Sequence, residues 1–304
     1  MLYTETTAAD KRARLRQRIQ AGELLQFPGA FNPLSARLIQ DKGFDGVYIS
    51  GAVIAADLGL PDVGLTTLTE VAGRGAQISR MTDLPTIIDA DTGFGEAMNV
   101  ARTVQALEEA GVSGLHIEDQ VNPKRCGHLD GKSVVDDSTA LQRISAAARA
   151  RRDPNLLIIA RTDIRAVSGL QAAIDRALLL VDAGADVVFP EAMVSLDEFA
   201  EVKAALGSVP VLANMTEFGR SELFTRDQLA DAGVSIVIHP VSLLRTAMGA
   251  AERALDTLRA DGSLRAEVAD MQTRARLYEL LDYEAYNAFD SGVYNFSIEH
   301  HFDG

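Results

Sequence analysis

Two acidic residues stand one residue apart in Ile87-Ile88-Asp89-Ala90-Asp91-Thr92-Gly93-Phe94-Gly95, at the end of an apolar run. In an extended chain alternate side chains share a face, so Asp89 and Asp91 point the same way. Apposed carboxylates repel unless a cation lies beside them, and hard oxygen ligands of this kind suit Mg²⁺ or Mn²⁺. The alternative is a loop whose carboxylates cap the next helix. Glu118 and Asp119, closing the next apolar run, could complete an outer shell through water. A second segment, Asn122-Pro123-Lys124-Arg125-Cys126-Gly127-His128, places a thiol directly after two cations and just ahead of a histidine. Nearby positive charge lowers a thiol pKa from about 8.5 and readies it for proton exchange or attack. The polar stretch from Gln120 to Ser133 reads as a loop able to act as a lid. Arg161, directly after another apolar run, carries the guanidinium that grips carboxylates in bidentate fashion. Arg245 and Arg274 offer the same chemistry but fall on expected helices, where solvated arginines are common. His116, inside an apolar run, reads as a core histidine.

These residues need a scaffold, and the sequence repeats one. Four segments, 41–50, 109–118, 182–191 and 231–240, share a plan in which a stretch of helical pattern stops at a glycine. Glycine takes the left-handed conformation that closes a helix, and in each segment a short β-branched or apolar run follows at once. With the remaining apolar runs the expected strands are 24–27, 47–49, 86–88, 115–117, 156–160, 187–189, 209–213 and 236–238. That number closes a (β/α)₈ (TIM) barrel. An open doubly wound sheet would fit the spacing too, but no Gly-x-Gly-x-x-Gly turn follows the first strand. Polar residues also end nearly every strand: Ser50, Asp89 and Asp91, Glu118, Arg161 and Asp163, Glu191, Asn214, His239. Only a barrel gathers all of these around one mouth. The expected architecture is α/β, with one barrel domain over 1–304, an N-terminal helix within 1–23 and a helical extension over 243–304. Within that extension helices are expected over 243–259, 264–282 and 283–289, covering the barrel base or another subunit. The tail over 295–302, with His300 and His301, reads as an exposed chain end rather than a metal site.

The chain has 304 residues, 29 Lys and Arg against 43 Asp and Glu, a formal charge of −14 and one cysteine. The acidic balance argues against a nucleic-acid partner, because phosphate binding needs clustered cations. A lone cysteine excludes an internal disulfide and Cys-built metal clusters, and fits a reducing cytoplasm. No apolar run reaches the roughly 20 residues that span a bilayer, so no membrane partner is expected. The basic cluster over 11–18 sits among Glu5, Asp10 and Glu23 and reads as a solvated first helix.

Lys124-Arg125-Cys126-Gly127-His128, taken with Asp89-Ala90-Asp91-Thr92-Gly93-Phe94-Gly95, resembles the isocitrate lyase and phosphoenolpyruvate mutase superfamily, and within it the 2-methylisocitrate lyases. Tyr48-Ile49-Ser50-Gly51, Gly59-Leu60-Pro61-Asp62, His116-Ile117-Glu118-Asp119-Gln120, Ala160-Arg161-Thr162-Asp163, Phe189-Pro190-Glu191-Ala192, Asn214-Met215-Thr216-Glu217-Phe218-Gly219 and Met271-Gln272-Thr273-Arg274 extend the likeness over nearly the whole chain. The resemblance implies a barrel whose last helices swap between subunits of a homotetramer. It implies Mg²⁺-dependent cleavage of a small tricarboxylate, (2S,3R)-2-methylisocitrate, to pyruvate and succinate, or of isocitrate or a related 2-hydroxyacid. By matching position, Asp89 and Asp91 would hold Mg²⁺, and Ser50, Gly51 and Ala52 would bind the nascent pyruvate. Arg161, Glu191, Asn214, Met215, Thr216, Arg245 and Arg274 would place the remaining oxygens, and Cys126-Gly127 would meet the succinate half. Cys126 would be the general acid, with Lys124 and His128 beside it. Tyr48 is the candidate base, a metal-bound group or a carboxylate being the alternatives. Two departures stand out: Ala52 where some relatives carry glycine, and His239 where others carry an aromatic residue, which leaves the role of His239 open.

Overall fold

The eight apolar runs do form parallel strands: β1 (Leu25–Pro28), β2 (Val47–Ile49), β3 (Thr86–Asp89), β4 (Gly114–Glu118), β5 (Leu157–Thr162), β6 (Val187–Pro190), β7 (Leu212–Asn214) and β8 (Ile236–His239). The computed structural model describes residues 4–124, 131–219 and 221–295. Helix α1 (Ala8–Gln20) precedes β1, followed by α2 (Pro33–Asp41), α3 (Gly51–Asp57), α4 (Leu68–Ser79), α5 (Ala97–Glu109), α6 (Asp137–Ala150), α7 (Arg165–Ser168) and α8 (Leu170–Asp182). Then come α9 (Leu196–Leu206), α10 (Arg226–Asp231), α11 (Ser242–Asp261), α12 (Arg274–Leu280) and α13 (Tyr283–Tyr294). The strands pair in two parallel sets, β2-β3-β4-β5-β6 and β1-β8-β7. Single bridges, Gly29 with Tyr48 and Val188 with Val211, join the two sets and close the barrel.

Alternation along each strand sorts the side chains. Leu25, Phe27, Tyr48, Ile87, Leu157, Ile159, Val187, Phe189, Leu212, Ile236 and Ile238 fill the interior, and Leu15 and Ile19 of α1 pack with them. The intervening positions, among them Ile88, Leu115, Ile158, Val188 and Val237, face outward against the surrounding helices. Most importantly, the next inward position on five strands is polar. Ile87 is followed by Asp89, His116 by Glu118, Ile159 by Arg161, Phe189 by Glu191 and Leu212 by Asn214. The barrel therefore has an apolar floor and a charged mouth.

Two expectations are corrected. The first helix is not simply solvated: Lys11 and Arg12 are 3% and 5% exposed. Lys11 donates to the carbonyls of Ser79, at 2.9 Å, and Thr82, while Arg12 donates to Glu108 and Val112 at 2.6 and 2.8 Å. Ser79 and Glu108 lie in the last turns of α4 and α5, whose orphan carbonyls favour cations. Lys11→Met should therefore cost about 1–3 kcal/mol in urea unfolding, since it strands buried acceptors; unchanged stability would show that those carbonyls are satisfied without it. The second correction concerns 264–282, which is not one helix. A 3₁₀ turn covers Val268–Asp270, Met271 is extended, and α12 starts afresh after Thr273, whose side chain accepts from the Arg276 N–H.

Candidate active site

Strand β3 delivers Asp89, and the chain then bends so that Asp91 adopts φ 45°, a left-handed conformation uncommon for a non-glycine residue. The bend folds one carboxylate onto the other: the Asp91 N–H donates to Asp89 Oδ1 at 3.0 Å, while Asp89 Oδ2 accepts from the Gly51 N–H at 3.2 Å. Gly51 is required by space. A Cβ there would lie 2.8 Å from Asp89 Oδ2 and 3.3 Å from Asp91 Oδ1. Lys124 lies over the pair, its Nζ 2.8 Å from Asp91 Oδ1 and also bonded to Asp62.

These neighbours set the charge states. Burial opposes ionisation of Asp89, but the positive charges of His116 (when protonated), Lys124 and Arg161 outweigh it and hold the carboxyl at about 2. Burial and the Asp89 charge push Asp91 up to about 6 against the pull of Lys124. Burial disfavours the Lys124 ammonium, yet Asp89, Asp91, Glu118 and Asp62 together keep it protonated far into the alkaline range. Glu118 Oε1 is buried with no hydrogen-bond partner among the described residues. Among those residues, no three His, Cys, Asp or Glu side chains are grouped to hold a metal ion by themselves. Mg²⁺ asks for less: it retains several waters and binds through one or two carboxylates, so Asp89 and Asp91, backed by Glu118, fit it.

Across the mouth lies the anion-binding side. Arg161 is 8% exposed, with Nε 3.3 Å from Glu118 Oε2 and the guanidinium over the Phe189 ring at 5.2 Å. The Asn214 amide approaches both oxygens of Glu191 at 3.4 Å. Arg245, at the start of α11, donates to Thr216 Oγ1 at 3.2 Å and to Glu217 Oε2 at 3.0 Å. Asp89, Lys124, Arg161, Glu191, Asn214 and Arg245 share one cavity of about 280 Å³, to whose wall Ser50 and Ala52 also contribute. Its floor is Tyr48, whose hydroxyl meets His116 Nε2 at 2.7 Å. His116 is stacked on Tyr48, edge-on to Phe189 and fully buried, and burial lowers it to about 4, so the ring is neutral at pH 7.

A phosphoenolpyruvate phosphomutase family profile matches residues 15–259. A probable 2-methylisocitrate lyase of Corynebacterium glutamicum is 55% identical over 98% of this chain and 97% of its own. The chain belongs to the phosphoenolpyruvate mutase family. Solved structures agree. An oxaloacetate acetylhydrolase with bound 3,3-difluorooxalacetate superposes with TM-score 0.88 at 34% identity, over 96% of this chain and 99% of its own. A phosphonopyruvate hydrolase with oxalate and Mg²⁺ gives 0.84 at 30%, over 92% and 98%. With lyases at such identity over nearly its whole length, this member of the phosphoenolpyruvate mutase family is a lyase.

Within this family member most residues expected at the site converge, and a few do not. Ser50, Gly51, Ala52, Tyr48, Asp89, Asp91, Lys124, Arg161, Glu191, Asn214, Thr216 and Arg245 all border the mouth. The Met215 side chain does not: it is buried in the outer core, because the alternation that turns Asn214 and Thr216 inward turns Met215 away. Arg274 is exposed at the start of α12, on the extension that has left the barrel. Asp119 belongs to no metal shell; it accepts from Thr162, the Asp163 N–H and Arg176 on the outward side of β4. His239 is hydrogen-bonded to the Met215 backbone, which gives it a role in shaping the turn after β7. Cys126, Gly127 and His128 lie outside the described residues. Asp62, Phe189, Glu217 and Phe218 also line the cavity; the sequence points to them only as members of the segments that carry the resemblance, with no role of their own.

Proposed function

We propose that the chain is a Mg²⁺-dependent carbon–carbon lyase that cleaves (2S,3R)-2-methylisocitrate to pyruvate and succinate, a step of propionate catabolism in the methylcitrate cycle. One observation carries this proposal: Asp89, with Asp91 hydrogen-bonded to it, shares a single cavity with Arg161 and Arg245, as a small polyacid with a 2-hydroxyl group requires. The 2-methylisocitrate lyase named among the relatives supports the choice of acid. Cytoplasmic location accords with the absence, among the described residues, of a helix long and apolar enough to cross a membrane. Neither a membrane nor a nucleic acid is a proposed partner; the charge of −14 suits neither phosphate surface. A homotetramer with exchanged C-terminal helices would cover Met248, Leu255, Phe289 and Val293, all of which are exposed on α11 and α13.

Asp89 and Asp91 would hold Mg²⁺, which supplies Lewis-acid polarisation of substrate oxygens. Ser50 and Ala52, on either side of the Gly51 N–H that aims Asp89, and the Arg161 guanidinium orient the pyruvate half. Tyr48 Oη meets the proton leaving the C2 hydroxyl, with His116 Nε2 at 2.7 Å as the acceptor behind it. Burial raises the Tyr48 pKa well above its ordinary value, so a standing phenolate base is disfavoured and the two groups must act together. As the C2 carbonyl forms, the C2–C3 electron pair passes to C3 as a succinate aci-carboxylate. Arg245, Asn214 and Lys124 stabilise that spreading charge. Cys126, flanked by Gly127 and His128, then protonates C3.

The second reading is a same-fold enzyme for isocitrate or another 2-hydroxyacid, or a 2-oxoacid hydrolase or decarboxylase, favoured by the structural likeness to an acetylhydrolase. One methyl group shifts selectivity by only about 1–3 kcal/mol. Measuring kcat/KM on 2-methylisocitrate, isocitrate, 2,3-dimethylmalate and oxaloacetate decides between them. The highest value is expected on 2-methylisocitrate, with pyruvate released; preference for any other acid would replace the proposal.

A further inference from the structure

A buried charged group stands behind Arg161 and takes no part in the steps above. Asp163 is fully buried and engages the guanidinium from the side, Nε donating to Oδ2 at 3.0 Å and Nη2 to Oδ1 at 3.2 Å. The same Oδ1 accepts from the Lys132 ammonium at 2.8 Å, and the Lys132 side chain is only 2% exposed. Asp163 is itself braced: its N–H donates to Asp119 Oδ1 at 2.9 Å, and Asp119 Oδ2 accepts from Arg176 at 2.9 Å and from Thr162 at 2.6 Å. Lys132 comes from a strand-like arm, in which the Val121 N–H donates to the Ser133 carbonyl at 2.9 Å and the Val135 N–H to the Asp119 carbonyl at 2.8 Å.

We infer that Lys132 and Asp163 are positioning residues for carboxylate recognition by Arg161. Side-on engagement uses Nε and one N–H of Nη2, so the end-on edge of the fork is the one presented to a ligand. Charge gives the second part. Arg161 stands among three buried carboxylates, Asp163 at 3.0 Å, Glu118 at 3.3 Å and Glu191 at 4.0 Å, and Lys132 offsets the one it shares with the guanidinium. In a site this buried, screening is weak and the Lys132 charge is felt by an anion several ångströms away. Asp163 thus fixes where the guanidinium points, and Lys132 preserves its pull on an acid.

This inference rests on the small-acid reading of the site but not on which acid is cleaved, and oxalate with Mg²⁺ serves as its probe. The full-length Lys132→Met, Lys132→Arg and Asp163→Asn proteins are titrated calorimetrically with oxalate, and their kinetics measured on the acid that the unaltered enzyme cleaves best. Lys132→Met is expected to weaken oxalate and raise KM by about tenfold while kcat stays within about threefold, and Lys132→Arg to recover most of the affinity. Asp163→Asn is expected to lose more; should it fold poorly, the two Lys132 variants still decide. Unchanged oxalate affinity in Lys132→Met, or a loss of thermal stability and kcat with affinity retained, would overturn the assignment. An unaltered protein that binds oxalate yet cleaves no 2-hydroxyacid would instead refute the lyase chemistry, and the oxalate comparison would still report on Lys132.

Discussion

Asp89→Asn is expected to lower kcat/KM roughly a thousandfold and to remove the response to added Mg²⁺. The carboxylate is held at about 2 and accepts N–H bonds from both Gly51 and Asp91, so it is ionised and aimed before any ligand arrives. An amide keeps the shape but turns one acceptor into a donor that faces the Gly51 or Asp91 N–H, and it removes the charge that a hard cation needs. Treating the unaltered protein with EDTA should produce the same loss, reversed by Mg²⁺. Full activity after chelation would remove the metal from the reaction. Activity lost in Asp89→Asn but insensitive to chelation would make Asp89 a residue of the charge network alone.

Cys126→Ser is the second large effect. General acids contribute about 10²–10⁴-fold, and a serine hydroxyl is far too weak an acid to replace a thiol whose unperturbed pKa is about 8.5. The expected result is a kcat reduced by about a thousandfold, with oxalate and Mg²⁺ binding retained. Lys124, two residues before Cys126 in the sequence, rests its ammonium on Asp91 inside the mouth. A serine variant with normal kcat would assign the proton to another donor.

Much of the framework was legible because four strands, β2, β4, β6 and β8, announce themselves twice, by a glycine stop before them and a polar residue at or just past their end. Gly111 precedes β4 and Glu118 closes it; Gly184 precedes β6 and Glu191 lies just beyond it. The boundary of β7 was less clear, because Pro210 has no N–H to give a neighbouring strand and serves only as an acceptor for the Val188 N–H. What one sequence conceals is which way a charge faces and what it meets. Lys11 and Arg12 look like any basic helix until α4 and α5 are seen to end beneath them. Asp119 and Glu118 are neighbours in sequence, yet alternation sends one to the outer network and the other to the mouth. Thr273 was a legible helix cap, and its side chain does start α12; reading 264–282 as one helix overlooked it.

The barrel wall consists of two panels that meet along seams of one bridge each. Tyr48, Asp89 and Arg161 stand on the larger panel, Asn214 and His239 on the smaller. Any molecule that touches both groups is therefore a clasp across the junction, and its arrival should slow amide exchange at Ala30 and Val188, whose N–H groups donate across the two joins. The seams of the scaffold and the line along which such a molecule would be gripped coincide.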